Sequence, residues 1–169
     1  MAIFSANLED LRELYVDQLR HLYSVETQLT EALPKMAEAA TDTQLKQAFT
    51  THLQETRQHV VRLEKILGKT GQSVDAKKSK GMATLITEGE EIIKNAKDHA
   101  VRDAGLILAA QRAEHYEMAS YGALRNWAQI LGEDQAAQML DETLREEGHA
   151  DHLLTEISMS ANPRAHKAA

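Results

Sequence analysis

Apolar residues recur at intervals of three and four along most of the chain, the spacing that lines one face of an α-helix. Leu8, Leu11, Tyr15, Leu22, Leu29, Leu33 and Met36 form the first such stripe, and Asn7 stands where a helix cap is wanted. A first helix is predicted over residues 8–39, with Pro34 expected to kink or shorten it. Beyond the polar Thr41-Asp42-Thr43, the residues Leu45, Ala48, Phe49, Leu53, Val60, Leu63 and Leu67 mark a second helix over 43–67, stopped by Gly68 and Gly71. Residues 72–80 are polar and, with Lys69, hold four lysines, which reads as a solvated connection. A short helix over 82–96 carries Leu85, Ile86, Ile92 and Ile93 on one side. Two more long helices are predicted over 102–131, ending at Gly132, and over 133–159.

Tight turns join the first pair and the last pair of long helices, so each pair should be an antiparallel hairpin. The long crossover between the pairs is the connectivity of ferritin-like bundles. The expected fold is all-α, a ferritin-like up-down four-helix bundle over residues 1–160 whose crossover carries an extra short helix. Residues 161–169, with Pro163, Arg164 and Lys167, are expected to form a flexible tail.

Composition narrows the function classes. The 169 residues suit one domain, and only 2 Pro and 8 Gly permit long helices. With no Cys, disulfides, thiolate metal sites and cysteine catalysis are excluded. No run approaches the roughly 18 apolar residues of a membrane span, so no membrane partner is expected. The first residues show no basic segment followed by an apolar one, which makes a cytoplasmic address the default expectation. The formal net charge of -7 disfavours nucleic acid and favours metal cations.

Acid interrupts the apolar stripes. Glu26 stands four residues after Leu22 and three before Leu29. His52, Glu55 and His59 share a face with Leu45 and Leu63. On the third long helix Ile107, Ala110, Glu114, Glu117, Tyr121 and Leu124 make one face, and on the fourth Leu140, Leu144, Glu147, Asp151 and Leu154 do. A buried carboxylate without a partner costs several kcal/mol, so it must be paired, protonated or metal-bound. Arg20, Arg57, Arg112 and Arg145 fall elsewhere on their helical wheels, which leaves a metal as the missing positive charge. Oxygen and imidazole donors without sulfur suit iron or manganese and also admit zinc.

Bundles of this connectivity hold two ions with one Glu from each of two helices and Glu-x-x-His from each of the others. Here Glu55 is followed by Gln58 at +3 and His59 at +4, and His59 is favoured because an amide is a weak ligand. The last helix offers two registers. Glu146-x-x-His149 matches the motif in letters, whereas Glu147-x-x-x-Asp151 matches the apolar stripe. The stripe favours Glu147, with Asp151 as a further candidate. Taken singly, these residues read as solvated acids, and His52 and His59 as surface or supporting histidines. What sets them apart is the coincidence of acids near mid-length on four stripes.

Val101-Arg102-Asp103-Ala104, Ala113-Glu114-His115-Tyr116-Glu117 and Ala119-Ser120-Tyr121-Gly122 resemble the bacterial YciE/YciF ferritin-like family. Tyr23-Ser24-Val25-Glu26 and His52-Leu53-Gln54-Glu55-Thr56 resemble its first hairpin, and Thr143-Leu144-Arg145-Glu146-Glu147 its last helix. The resemblance spans nearly the whole chain. It implies a dimetal-type bundle, a homodimer and an association with bacterial stress responses. By position it implies Glu26, Glu55, Glu114, Glu117 and Glu147 as ligands, with His59 beside them. Where the family reads Glu-Glu-Lys-Ala-Thr-Asp, this chain reads Glu146-Glu147-Gly148-His149-Ala150-Asp151, so Asp151 is kept and His149 is new.

The expectation is a cytoplasmic, stress-related protein with two metal ions, iron first and manganese or zinc admitted. O2 or peroxide reactivity, or ferroxidase chemistry, would follow. Tyr23 or Tyr121 would orient a carboxylate or quench a radical. The rival expectations are a miniferritin-type iron-storage assembly and a metal-free helical interaction module.

Overall fold

The computed structural model describes residues 8–72, 74 and 78–167. Five helices follow one another: α1 (Leu11–Ala39), α2 (Thr43–Lys69), α3 (Lys80–Asn95), α4 (His99–Ile130) and α5 (Asp134–Lys167). The four long ones form the ferritin-like bundle, and α3 packs on α4 and α1.

Contacts between helix ends fix the directions. Asp103, at the start of α4, meets Thr41 and Asp42, which follow α1, so α1 and α4 are antiparallel. Arg164, near the end of α5, pairs with Asp42, the cap of α2, so α2 and α5 are antiparallel as well. Lys69 at the end of α2 donates to Gln135 at the start of α5. The chain must therefore travel the length of the bundle between α2 and α4. The sixteen residues of α3 supply about 24 Å of that distance.

The helix ends follow local chemistry. Asp10, not Asn7, caps α1 by accepting from the Glu13 N–H at 2.8 Å. Asn7 lies outside the described residues, as do 73 and 75–77 of the polar connection. Pro34 does not shorten α1, which runs on to Ala39 with Leu33 and Ala40 buried on either side of it. Packing of that last turn outweighs the missing N–H. Similarly, α2 passes Gly68 and stops only near Gly71, at φ +69°. Gly132 takes φ +74° after α4, where the Glu133 N–H reaches Ala128 O at 2.8 Å.

The tail expected from residue 161 is instead helix to Lys167. Ala161 is buried against the bundle and Arg164 is tied to Asp42, so the last turns gain tertiary partners that the sequence pattern did not show. α3 is seated just as firmly. A Cβ on Gly105 of α4 would come within 2.5 Å of the Ile92 side chain, so the glycine admits close contact between α3 and α4. At the other end of α3, the Ser79 N–H donates to Ser24 Oγ at 2.9 Å.

Asp103 is a buried acid whose needs the protein meets. It accepts from the Thr41 N–H (2.8 Å), the Thr41 hydroxyl (2.6 Å) and the Asp42 N–H (2.8 Å). Asp103→Ala would strand those donors and should cost about 2–3 kcal/mol. The check is denaturant unfolding of the variant beside wild type. Metal content should not change, because Asp103 lies at the end of the bundle.

Candidate metal centre

The apolar core is not continuous. One cluster includes Leu29, Leu33, Phe49, Leu106 and Leu154, and a second includes Leu19, Leu22, Leu63, Leu124 and Leu140. Between them, on all four long helices, lies a polar layer: Glu26 on α1, His52 and His59 on α2, Glu114 and Glu117 on α4, and Glu147 on α5. All six are buried, with Glu26, His59, Glu117 and Glu147 at 0 % exposure.

The inner nitrogens and oxygens form two groups that share a residue. A ligand atom from each of Glu26, His59 and Glu147 lies within 4.8 Å of the others, and the same holds for His52, Glu114 and Glu147. His59 Nδ1 is 3.1 Å from Glu147 Oε1 and 3.4 Å from Glu26 Oε2. His52 Nε2 is 3.3 Å from Glu114 Oε1 and 3.5 Å from Glu147 Oε2. The two oxygens of Glu147 thus face different groups. Tyr121, fully buried, donates its hydroxyl to Glu26 Oε1 and holds that carboxylate.

Each histidine also has an outer partner. His59 Nε2 meets Glu146 Oε2 at 2.8 Å, and Arg62 binds the same carboxylate and Glu142. His52 Nδ1 meets Glu55 Oε2 at 3.3 Å. A carboxylate on the far nitrogen is how ligating imidazoles are commonly oriented. Glu55 and Glu146 are both partly exposed, so they stand outside the layer and steer its histidines.

Of the seven residues chosen from sequence, the structure brings together Glu26, His59, Glu114, Glu117 and Glu147. Glu55 sits one step outside, on His52. Asp151 turns away, accepting from Gln111 at 3.3 Å, with the His115 ring 3.6 Å off. His149 is exposed. Tyr23 points to Glu64 at 3.1 Å and plays no part in the layer. The residue passed over is His52, seven positions before His59 and therefore on the same stripe. The four buried glutamates and two buried histidines reach the ligand count of a ferritin-like dimetal site. They are distributed differently, with both histidines on α2 and two of the glutamates on α4.

The electrostatics are unbalanced. Seven of the ten buried side-chain polar atoms without a hydrogen-bond partner among the described residues belong to the layer, including both oxygens of Glu117 and of Glu147. No Lys or Arg among the described residues forms an ion pair with Glu26, Glu114, Glu117 or Glu147. Burial raises Glu114 and Glu117 well above the ordinary carboxylate range, and the neighbouring Glu147 adds to it. Glu26 is raised by burial against the pull of His59. Burial also works against charge on the imidazoles, but carboxylates outweigh it. Glu114 and Glu55 lead for His52, held at about 9, and Glu147 and Glu26 for His59, held at about 11. For Glu147 burial pushes up, and His59 with His52 more than reverses it.

These shifts give the metal-free protein a definite pH dependence. Raised carboxylates are stabilising while protonated, and that contribution is lost as pH rises from 4.5 through their higher folded values. The histidines contribute fully below 6.5 and lose it as pH rises through about 9 and about 11. Glu147 works oppositely, but only below 4.5. The thermal midpoint of chelator-treated protein should therefore fall between mildly acidic and alkaline pH. In Glu117→Gln that fall should be shallower. Bound metal should reverse the trend, since protons compete with it for the ligands.

A family profile described as a domain of unknown function (DUF892) matches residues 10–166. Protein YciF of Escherichia coli (strain K12) is 39% identical over 155 residues, covering 91% of this chain and 93% of that protein. The crystal structure of the E. coli stress protein YciF superposes with a TM-score of 0.88 at 38% identity, covering 92% of this chain and 98% of that one. YcfI from Rhodopseudomonas palustris gives 0.86 at 38% identity, over 90% and 97% of the two chains. A protein of Xanthomonas campestris pv. campestris, 22% identical, shares the fold with a TM-score of 0.75 over 94% and 97%.

Proposed function

The chain belongs to the DUF892 family, and we propose that it is a dimetal carboxylate protein, loaded with iron, that reacts with dioxygen or peroxide in stress protection. The observation that carries this reading is the polar layer: buried oxygens without donors, assembled from four helices, with no Lys or Arg paired to them. Asp103 shows the contrast within the same molecule, since its buried carboxylate has three donors.

The donor set fits the metal. Four carboxylates and two imidazoles without sulfur suit iron or manganese and would also accept zinc. Glu26, His59 and Glu147 would hold one ion, and His52, Glu114 and Glu147 the other. Glu147, with an oxygen toward each group, would be shared, and Glu117 has two further free oxygens in the same layer. A bound pair of Fe(II) ions would supply two electrons to an oxidant, where a single Fe(II) passing to Fe(III) supplies one. The protein's own part is to hold the ligands in register. Tyr121 orients Glu26, Glu146 with Arg62 orients His59, and Glu55 orients His52. The apolar clusters on either side keep bulk water from the layer.

The stress role is carried over from the E. coli relative YciF, a stress protein. No helix among the described residues is long and apolar enough to cross a membrane, which is compatible with the proposed cytoplasmic site of action. The homodimer is supported by α4, whose outward face shows Val101 and Leu108 to solvent, 44% and 48% exposed. A partner copy would cover them.

Reconstituted anaerobically with Fe(II) and desalted, the protein should carry about two ions per chain. Glu147→Gln should remove most of both, and Glu26→Gln mainly one. Elemental analysis decides, and a stoichiometry near zero in wild type would sink the reading. Sedimentation should give twice the chain mass, and Leu108→Glu should return it to one.

A further inference from the structure

The polar layer has an apolar neighbour. Between α1, α3 and α4 lies a pocket of about 30 Å³ that reaches His52 and Glu114. Its largely apolar wall includes Leu29, Leu33, Met82, Ile86, Ala110 and Ala113. A site of this size holds a water, but a water needs two to four polar partners. This wall offers them only at the inner end, on His52 and Glu114, and at the mouth. There Lys35 and Glu90 pair at 2.9 Å across α1 and α3, both exposed. Exposed pairs of this kind are weak, so the mouth opens cheaply. Small residues create the space: Gly89 of α3 faces Ala109 of α4, and a Cβ on Gly89 would sit 3.6 Å from the Ala109 methyl.

A second opening reaches the same two residues from the α2–α5 side. It measures about 60 Å³; Thr51, Glu55 and His149 edge it along with His52 and Glu114, and apolar residues such as Phe49 and Leu154 make the rest of its wall. Both approaches have largely apolar walls, but Glu55, Thr51 and His149 give the α2–α5 opening polar groups along its edge, where the α1–α3–α4 pocket has them only at its two ends. Small apolar molecules bind dry hydrocarbon cavities readily, whereas ions and peroxide would shed hydration there without compensation.

We propose that the α1–α3–α4 pocket binds a small apolar gas, with dioxygen as its ligand, beside His52 and Glu114. Metal ions and polar oxidants instead enter between α2 and α5. The use of the pocket rests on the dimetal reading, but its occupancy does not, so the two can fail separately.

Xenon is the probe. Crystals of the metal-free protein pressurised with xenon should show one atom in contact with Met82, Ala110 and Ala113. Ala113→Leu, which fills the space, should lose it while keeping the metal content of wild type. Gly89→Ala, whose added methyl meets only ordinary contacts, should weaken xenon occupancy in a protein certain to pack. In the Fe(II)-loaded protein, Ala113→Leu should slow oxidation by dissolved oxygen several-fold and leave oxidation by hydrogen peroxide near wild type. An empty pocket in wild type under xenon, or xenon occupancy unchanged in both variants, would overturn the proposal. Equal slowing with both oxidants would overturn the separation of routes. Xenon in the pocket of a protein that takes up no iron would uphold the pocket and remove the dimetal reading.

Discussion

Like charge packed into one cross-section of a helical bundle is the constraint from which the rest follows. Four glutamates and two histidines share a layer that water barely reaches, and the acids outnumber the bases. Such a layer persists only if protons or cations balance it and if the surrounding apolar core holds the helices against its repulsion. The protein supplies the second condition on both sides. Leucine-rich clusters flank the layer, and the end contacts Asp103–Thr41 and Arg164–Asp42 lock the helices in axial register. The first condition is met by protons in the metal-free chain, as the raised carboxylates show. Under the proposed reading, bound metal would meet it in their place.

The partly exposed carboxylates work at one remove. Glu55 and Glu146 each take the outer nitrogen of a histidine, so the inner nitrogen is aimed at the shared Glu147. Arg62 neutralises Glu146 without entering the layer, which leaves the inner acids free. The two approaches to the layer differ in degree, with more polar groups along the one between α2 and α5 than along the one under α3.

Much of this was legible in the sequence, and the misses have a common cause. Helix count, the crossover and the inward acids Glu26 and Glu147 followed from stripes anchored by leucines on both sides. Glu55 did not, because a helix turns about 100° per residue and an inward stripe is about that wide. Neighbouring positions then cannot be told apart by spacing alone. Thr56, fully buried, holds the inward place that Glu55 seemed to occupy, and His52 shares that face. The motif Glu-x-x-His drew attention to Glu55 and His59 and away from His52. Asp151 likewise stands at the edge of its stripe, where it accepts from Gln111. The last turns of α5 were missed because their partners, Asp42 above all, lie more than a hundred residues away in sequence.

The most direct test is where metal sits. Crystals grown from protein reconstituted with Fe(II) or Mn(II) can be measured on either side of the metal absorption edge. The account predicts two anomalous peaks within the layer, both ligated by Glu147, one also by Glu26 and His59 and the other by His52 and Glu114. Metal found only on carboxylates outside the layer, such as Glu146 or Asp151, or no peak in the layer at full reconstitution, would contradict it.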